Sequence, residues 1–187
     1  MTPSIEGNLQ GAATGFEVRA GSTSDIEVTL WGDLGLGWFG HISMALARRG
    51  LNIRSAQATR RAGDEWHGVL NLVSTSASVD PYALDYLALA SEMSPLSGEK
   101  PAIEGFRLER TASGALELRL SALDQIGLLA GLLDRCEFLG LFPERLRVAT
   151  NGRAVDDTLW LRAVAGMSAS AQAERALRDL LASLIRH

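Results

Sequence analysis

The chain has 187 residues, with 18 Lys and Arg against 22 Asp and Glu for a formal net charge of −4, and 47% of it is apolar. That fits one mid-sized or two small domains able to bury a core, and the basic residues are scattered, which argues against a nucleic-acid partner. No apolar run approaches the length that spans a bilayer, and a single cysteine, Cys136, excludes an internal disulfide.

Residues 1–14 lack a basic start and an apolar segment, so no secretory signal is expected and the cytoplasm is the expected compartment. Their Gly, Ala and Ser content predicts a flexible N-terminus. Residues 16–19 read as a short strand, followed by a polar turn. Residues 26–31 alternate apolar and polar, the period of a strand with one face exposed. A glycine-rich loop over 32–37 precedes a helix that places Phe39, Ile42, Leu46 and Ala47 on one face, with His41, Arg48 and Arg49 turned away. Gly50 suits the helix C-terminus, where positive φ is needed. Residues 51–61 and 66–73 read as two strands joined by a turn. Asp80-Pro81 reads as the N-cap and first residue of a helix carrying Tyr82, Tyr86, Leu87 and Ala90 on one side. Residues 94–104, with Pro95, Gly98 and Pro101, read as a linker.

The same order then recurs at an offset of 90 residues. Gly15-Phe16 matches Gly105-Phe106, and Ile26–Leu30 matches Leu116–Leu120. Gly37 matches Gly127, and Gly50-Leu51 matches Gly140-Leu141. Such a repeat governs the whole fold assignment. In the second copy the helices present Leu129, Leu132, Cys136 and Leu139, then Leu177, Leu180, Leu181 and Leu184. Cys136 is expected to be a buried small hydrophobe. Each unit is strand, strand, helix, strand, strand, helix. The expected fold is α+β: two ferredoxin-like α/β sandwiches, each a four-stranded antiparallel sheet with two helices on one face. The leading strand of each unit stands where that fold carries its last strand, so the units are either circularly permuted or exchange their leading strands. The expected layout is a first lobe over 15–94, a linker over 95–104 and a second lobe over 105–187.

Asp124-Gln125-Ile126-Gly127-Leu128-Leu129, a helix, and then Gly140-Leu141 resemble the signature of ACT domains, small regulatory modules that bind amino acids. Gly50-Leu51-Asn52-Ile53 resembles the second half of that signature. The resemblance covers residues 26–73 and 116–164. Both units depart from the pattern. Leu36 and Ile126 replace the family's loop proline, Asp33 sits one residue early with Leu34 at the family position, and Phe142-Pro143 replaces Asn-Ile. Each unit keeps half of the usual effector-binding set, which implies one asymmetric site where the units meet. The set implied by the resemblance is Asp33, Leu34, Gly35, Leu36, Gly37 and Trp38 in one loop, Asn52 and Ile53 on a strand, and Asp124, Gln125, Ile126, Gly127 and Leu128 in the other loop.

The chemistry is consistent with such a ligand. A loop ending at a helix N-terminus offers unpaired N–H groups and a favourable dipole to a carboxylate. Asp33 or Asp124 would take an ammonium group, and Asn52 can both donate and accept; alternatively each Asp caps its helix. A rival reading uses Gly35-Leu36-Gly37-Trp38-Phe39-Gly40, a G-x-G-x-x-G between strand and helix, for NAD(P). Against it, the preceding strand carries Glu27 and Thr29, and no acid follows about 20 residues on. His41 and His67 lack partners at metal spacing. The four tryptophans read as core or interface anchors, and Asp156-Asp157 reads as a solvated turn. The expectation is a non-enzymatic regulatory protein without cofactor or metal, with an amino-acid effector, a regulated partner protein and a homodimer formed through sheet edges. An interaction module that binds no ligand is the second class.

Overall fold

The computed structural model describes residues 13–21, 25–61, 65–75, 78–92, 100–125 and 127–186. Most of the expected N-terminal segment, the first part of the linker and Ile126 lie outside the described residues. The elements run β1 (Gly15–Ala20), β2 (Ile26–Gly32), α1 (Trp38–Arg48), β3 (Leu51–Arg60), β4 (Trp66–Ser74), α2 (Tyr86–Ser91), β5 (Gly105–Arg110), β6 (Leu116–Leu123), α3 (Leu128–Phe138), β7 (Leu141–Asn151), β8 (Ala154–Ala163) and α4 (Ala171–Ala182).

All eight strands form one antiparallel sheet in the order β1-β2-β4-β3-β7-β8-β6-β5. This overturns the expectation of two four-stranded ferredoxin-like sandwiches. The two halves do not close separately, because β3 and β7 pair from Ser55↔Ala149 to Thr59↔Arg145. Left apart, each would present a row of unpaired backbone groups. Above this seam α1 packs on α3, and one continuous apolar core runs through both halves. The order reads the same outward from the seam on either side, so the repeat survives as an approximate two-fold within one sheet. Strand exchange does not occur: β1 pairs with β2 and β5 with β6.

The alternation in sequence sets which face is covered. Val28, Leu30, Leu70 and Leu72 are wholly buried, as are Leu118, Leu159 and Leu161. Between them Thr29, Gln57, Arg147 and Thr158 fall on the other, more open face. Burying one such leucine is worth about 1.5–3 kcal/mol, so a one-residue slip in any central strand would be strongly disfavoured. In α1, Trp38, Phe39, Ile42, Ala45 and Leu46 are buried. That face is wider than expected because α1 touches both α2 and α3. Gly50, at φ 70°, sends its N–H to Ala47 O and ends the helix as expected.

The helix expected from Asp80 is broken in two. Asp80 accepts from Tyr82 N–H and starts only a 3-10 turn over Pro81–Ala83. Leu84 is extended, and Asp85 caps α2 by accepting from Leu87 and Ala88 N–H. Two carboxylates offering local partners to the backbone compete with a continuous helix. Tyr82 is left 55% exposed, whereas Tyr86 is fully buried with its hydroxyl donating to Pro81 O. Cys136 is buried, and burial pushes its thiol up to about 12, so it is inert as a nucleophile. Among the described residues no helix is long and apolar enough to cross a membrane.

Candidate functional site

Both long helices at the seam begin at a glycine in the left-handed region, Gly37 at φ 74° and Gly127 at φ 80°. Neither helix start has a side-chain cap. Asp33 instead accepts from Gly35 N–H at 3.1 Å, and Asp124 receives the Asn52 amide. The capping role open to each Asp in the sequence is therefore not taken. α1 and α3 run in opposite directions across the seam. The start of α1 meets Glu137 in the last turn of α3, and the start of α3 meets Ala47 in the last turn of α1. The two glycine loops thus lie at opposite ends of the helix pair. The expected site residues divide between two places.

One place is a cavity of about 40 Å³ at the start of α3. It brings together Asn52 and Ile53 from the first half with Asp124, Gln125, Gly127 and Leu128 from the second. Ser43, Ala47 and Asp157 complete its wall. Asn52 Nδ2 donates to the Asp124 carboxylate at 3.2 and 3.4 Å, tying the halves together at the mouth. Asn52, Asp124 and Thr150 are shared with an outer groove of about 480 Å³. A single water needs about 10–15 Å³ of such space. The inner cavity therefore has room for a small head group, and the groove for the rest of a ligand.

The other place, at the start of α1, is mostly apolar, with Asp33 and Arg60 as its charged lining residues. A pocket of about 310 Å³ is lined by Asp33, Gly35, Leu36, Gly37 and Trp38 with Phe142, Pro143 and Val164. Phe142 and Pro143 hold the repeat positions of Asn52 and Ile53. Leu36 and Val164 are half-exposed at its rim, and Ala165 lines it at φ 58°. Leu34 joins the core instead. A Cβ on Gly37 would overlap Glu137 Oε1, so this helix start already faces a carboxylate of the protein. The Glu137 carboxyl is raised by burial, an effect His41 opposes and Asp134 reinforces.

The most informative difference is in the strands beneath. Leu30 lies opposite Gly68, and its repeat partner Leu120 lies opposite Asp157. Gly68 and Asp157 are thus equivalent positions on the covered face. A Cβ on Gly68 would come within 2.9 Å of the Trp38 ring, which fills that space and packs edge-on against Trp66 at 5.6 Å. In the second half Leu128 replaces Trp38, and the space holds the Asp157 carboxylate. The expectation that Asp157 is solvated is wrong: it is 1% exposed. Burial pushes its carboxyl up to about 7. The Ala149 N–H bond opposes this at 3.2 Å, while Asp156 and Asp124 add to it. Its signal was present in the sequence, since Val155, Asp157, Leu159 and Leu161 share one phase of a strand.

The dinucleotide reading finds no support in this geometry. Its fingerprint belongs to a parallel βαβ unit, whereas β2 is antiparallel to both neighbours, and Glu137 stands where a pyrophosphate would bind. Among the described residues no group of three or more His, Cys, Asp or Glu could hold a metal ion. His41 Nδ1 lies 3.3 Å from Ala90 O. The Arg119 guanidinium bonds Glu117 and holds its carboxyl low against burial, helped by Trp160, which donates to it at 3.0 Å beneath the Arg145 guanidinium.

No protein-family model matches the chain, and neither a curated protein nor a solved structure matches it.

Proposed function

We propose that this chain is a non-catalytic regulatory protein that binds one small amino-acid effector in the seam cavity and passes the signal to a partner protein. The observation that carries the reading is the contrast between the two helix starts. At α1 the place before the first turn is taken by the Glu137 carboxylate; at α3 the repeat position of Glu137 is Ala47, and a Cβ on Gly127 would meet nothing within 4 Å. A ligand carboxylate takes at α3 the place that Glu137 takes at α1. First-turn N–H groups, here those of Leu129 and Ala130 in the cavity wall, have no intrahelical acceptor and sit at the positive end of the helix dipole. The resemblance of Asp124–Leu129 and of Gly50–Ile53 to the amino-acid-binding ACT signature supports the same choice of ligand.

The cavity is walled by α1 and β3 from one half and α3, β7 and β8 from the other. An effector there touches both halves, so its binding energy favours the arrangement in which they close on it, and that difference passes to a partner. The free edges β1 and β5 are where a homodimer would form. A thermal-shift screen of the twenty amino acids tests the reading. At least one should raise Tm by several degrees, and Asp124→Ala should abolish the shift. Silence across the panel would leave an interaction module that keeps the fold without a ligand.

A further inference from the structure

We propose that the inner end of the seam cavity is an ammonium pocket, in which Asp157, with Gln125, holds the nitrogen of a primary amine or amino acid. The inference rests on the reading of the seam cavity as the effector site and adds which ligand group goes where.

Four observations carry it. Asp157 is buried on the core face of β8, at a position where the other half of the molecule uses glycine. A buried carboxylate is costly unless it is paired, and among the described residues its partner is the Ala149 N–H. The charges that act on it, Asp156 on its own strand and Asp124 after β6, are both negative. Among the described residues no Lys, Arg or His side chain lines the inner cavity; Arg54 lines the groove outside it. The wall therefore lacks a cation that the ligand can bring.

Gln125 Oε1 supplies independent support. Among the described residues only two buried side-chain polar atoms lack a hydrogen-bond partner, and this acceptor is one of them. The other, Trp38 Nε1, is a donor and belongs to the opposite end of the helix pair. An orphan acceptor beside a buried carboxylate asks for a donor-rich group. A primary ammonium has three N–H donors and no acceptor. The volume of about 40 Å³ suits that head group. The ammonium then sits inward on Asp157 while the carboxylate lies on the first turn of α3. The first half has no such pocket, because Trp38 fills the space over Gly68.

The test is titration calorimetry at pH 8 on the full chain and on Asp157→Asn, which keeps the shape and an acceptor for Ala149. The probes are the amino acid with the largest thermal shift, its N-acetyl derivative and its decarboxylated amine, with ethylamine and propionate as fixed controls. Acetylation and Asp157→Asn should each weaken amino-acid binding by on the order of 30-fold or more, in keeping with a charged hydrogen-bonded pair. Binding of the N-acetyl derivative, or of the amino acid to Asp157→Asn, within about threefold of the parent value would overturn the ammonium pocket and leave the amino-acid effector standing. Binding of amines but of no amino acid would do the reverse. No binding by any probe overturns both. If Asp157→Asn does not fold, the wild type decides: the N-acetyl derivative binding as tightly as the parent amino acid overturns the proposal.

Discussion

Asn52 and Asp124, one from each half of the chain, are joined by a hydrogen bond in which Asn52 Nδ2 donates to both carboxylate oxygens at 3.2 and 3.4 Å. The bond is exposed to solvent and lies at the mouth of the cavity where β3 meets the start of α3. Such a bond adds little to stability, on the order of 1 kcal/mol or less. Its position gives it a larger part in fixing how the two halves present the site. Asn52→Ala should therefore weaken effector binding about tenfold while moving Tm by only a few degrees. Calorimetry with a parallel melt checks this, and a large loss of Tm would show that the bond holds the fold rather than the site.

Ala47→Glu puts into the second helix start the carboxylate that the first already has. The new side chain should lie over the start of α3 and occupy the place assigned to the ligand carboxylate. Effector affinity should fall by at least about tenfold, with the fold retained, because Glu137 is accommodated in the equivalent place. Retained binding in the variant would place the ligand elsewhere.

Asp157 makes a pH prediction whose sign can be worked out. In the unfolded chain an Asp titrates near 3.9; in the folded chain burial pushes this one up to about 7. The folded state then holds the proton more tightly. The stability it contributes is fully present below about pH 4 and is lost as pH rises through about 7. Wild type should lose about 2–3 kcal/mol relative to Asp157→Asn between pH 5 and pH 8. Urea unfolding of both proteins across that range measures the difference, and parallel curves would contradict it.

Gly37 and Gly127 share a backbone conformation and differ in surroundings. Alanine at either costs about 1–2 kcal/mol for the left-handed φ. At Gly127 nothing else lies within 4 Å, whereas at Gly37 the new Cβ runs into Glu137 Oε1. Gly37→Ala should lower Tm more than Gly127→Ala. Adding Glu137→Ala should close most of that gap, a coupling that a double-mutant cycle reads directly.

Much of the architecture could be read before any coordinates. The repeat, the strands and the two long helices follow from alternation, from the 3.6-residue period and from Gly50. The single sheet could not, because alternation in β3 and β7 says which face is buried and nothing about what lies along the edge. Asp80 and Asp85 split a helix that Tyr82 and Tyr86 seemed to share, since local carboxylate bonds overrode the apolar spacing. The two glycine loops were legible as helix starts; their place at opposite ends of the helix pair was not, because it depends on the direction in which α1 crosses α3. Glu137 and Ala47, which decide which helix start is open, carry no motif at all. The adjacent pair Asp156-Asp157 resembles a solvated turn, although the phase of Asp157 with Leu159 and Leu161 points inward.

The number of effector molecules bound per chain tests the central claim most directly. Titration calorimetry of the full chain with the amino acid selected in the thermal-shift screen should give one site per chain, with its heat abolished by Asp124→Ala. Two sites per chain, or heat that survives Asp124→Ala, would contradict an account in which Glu137 and Trp38 close one helix start and leave the other open.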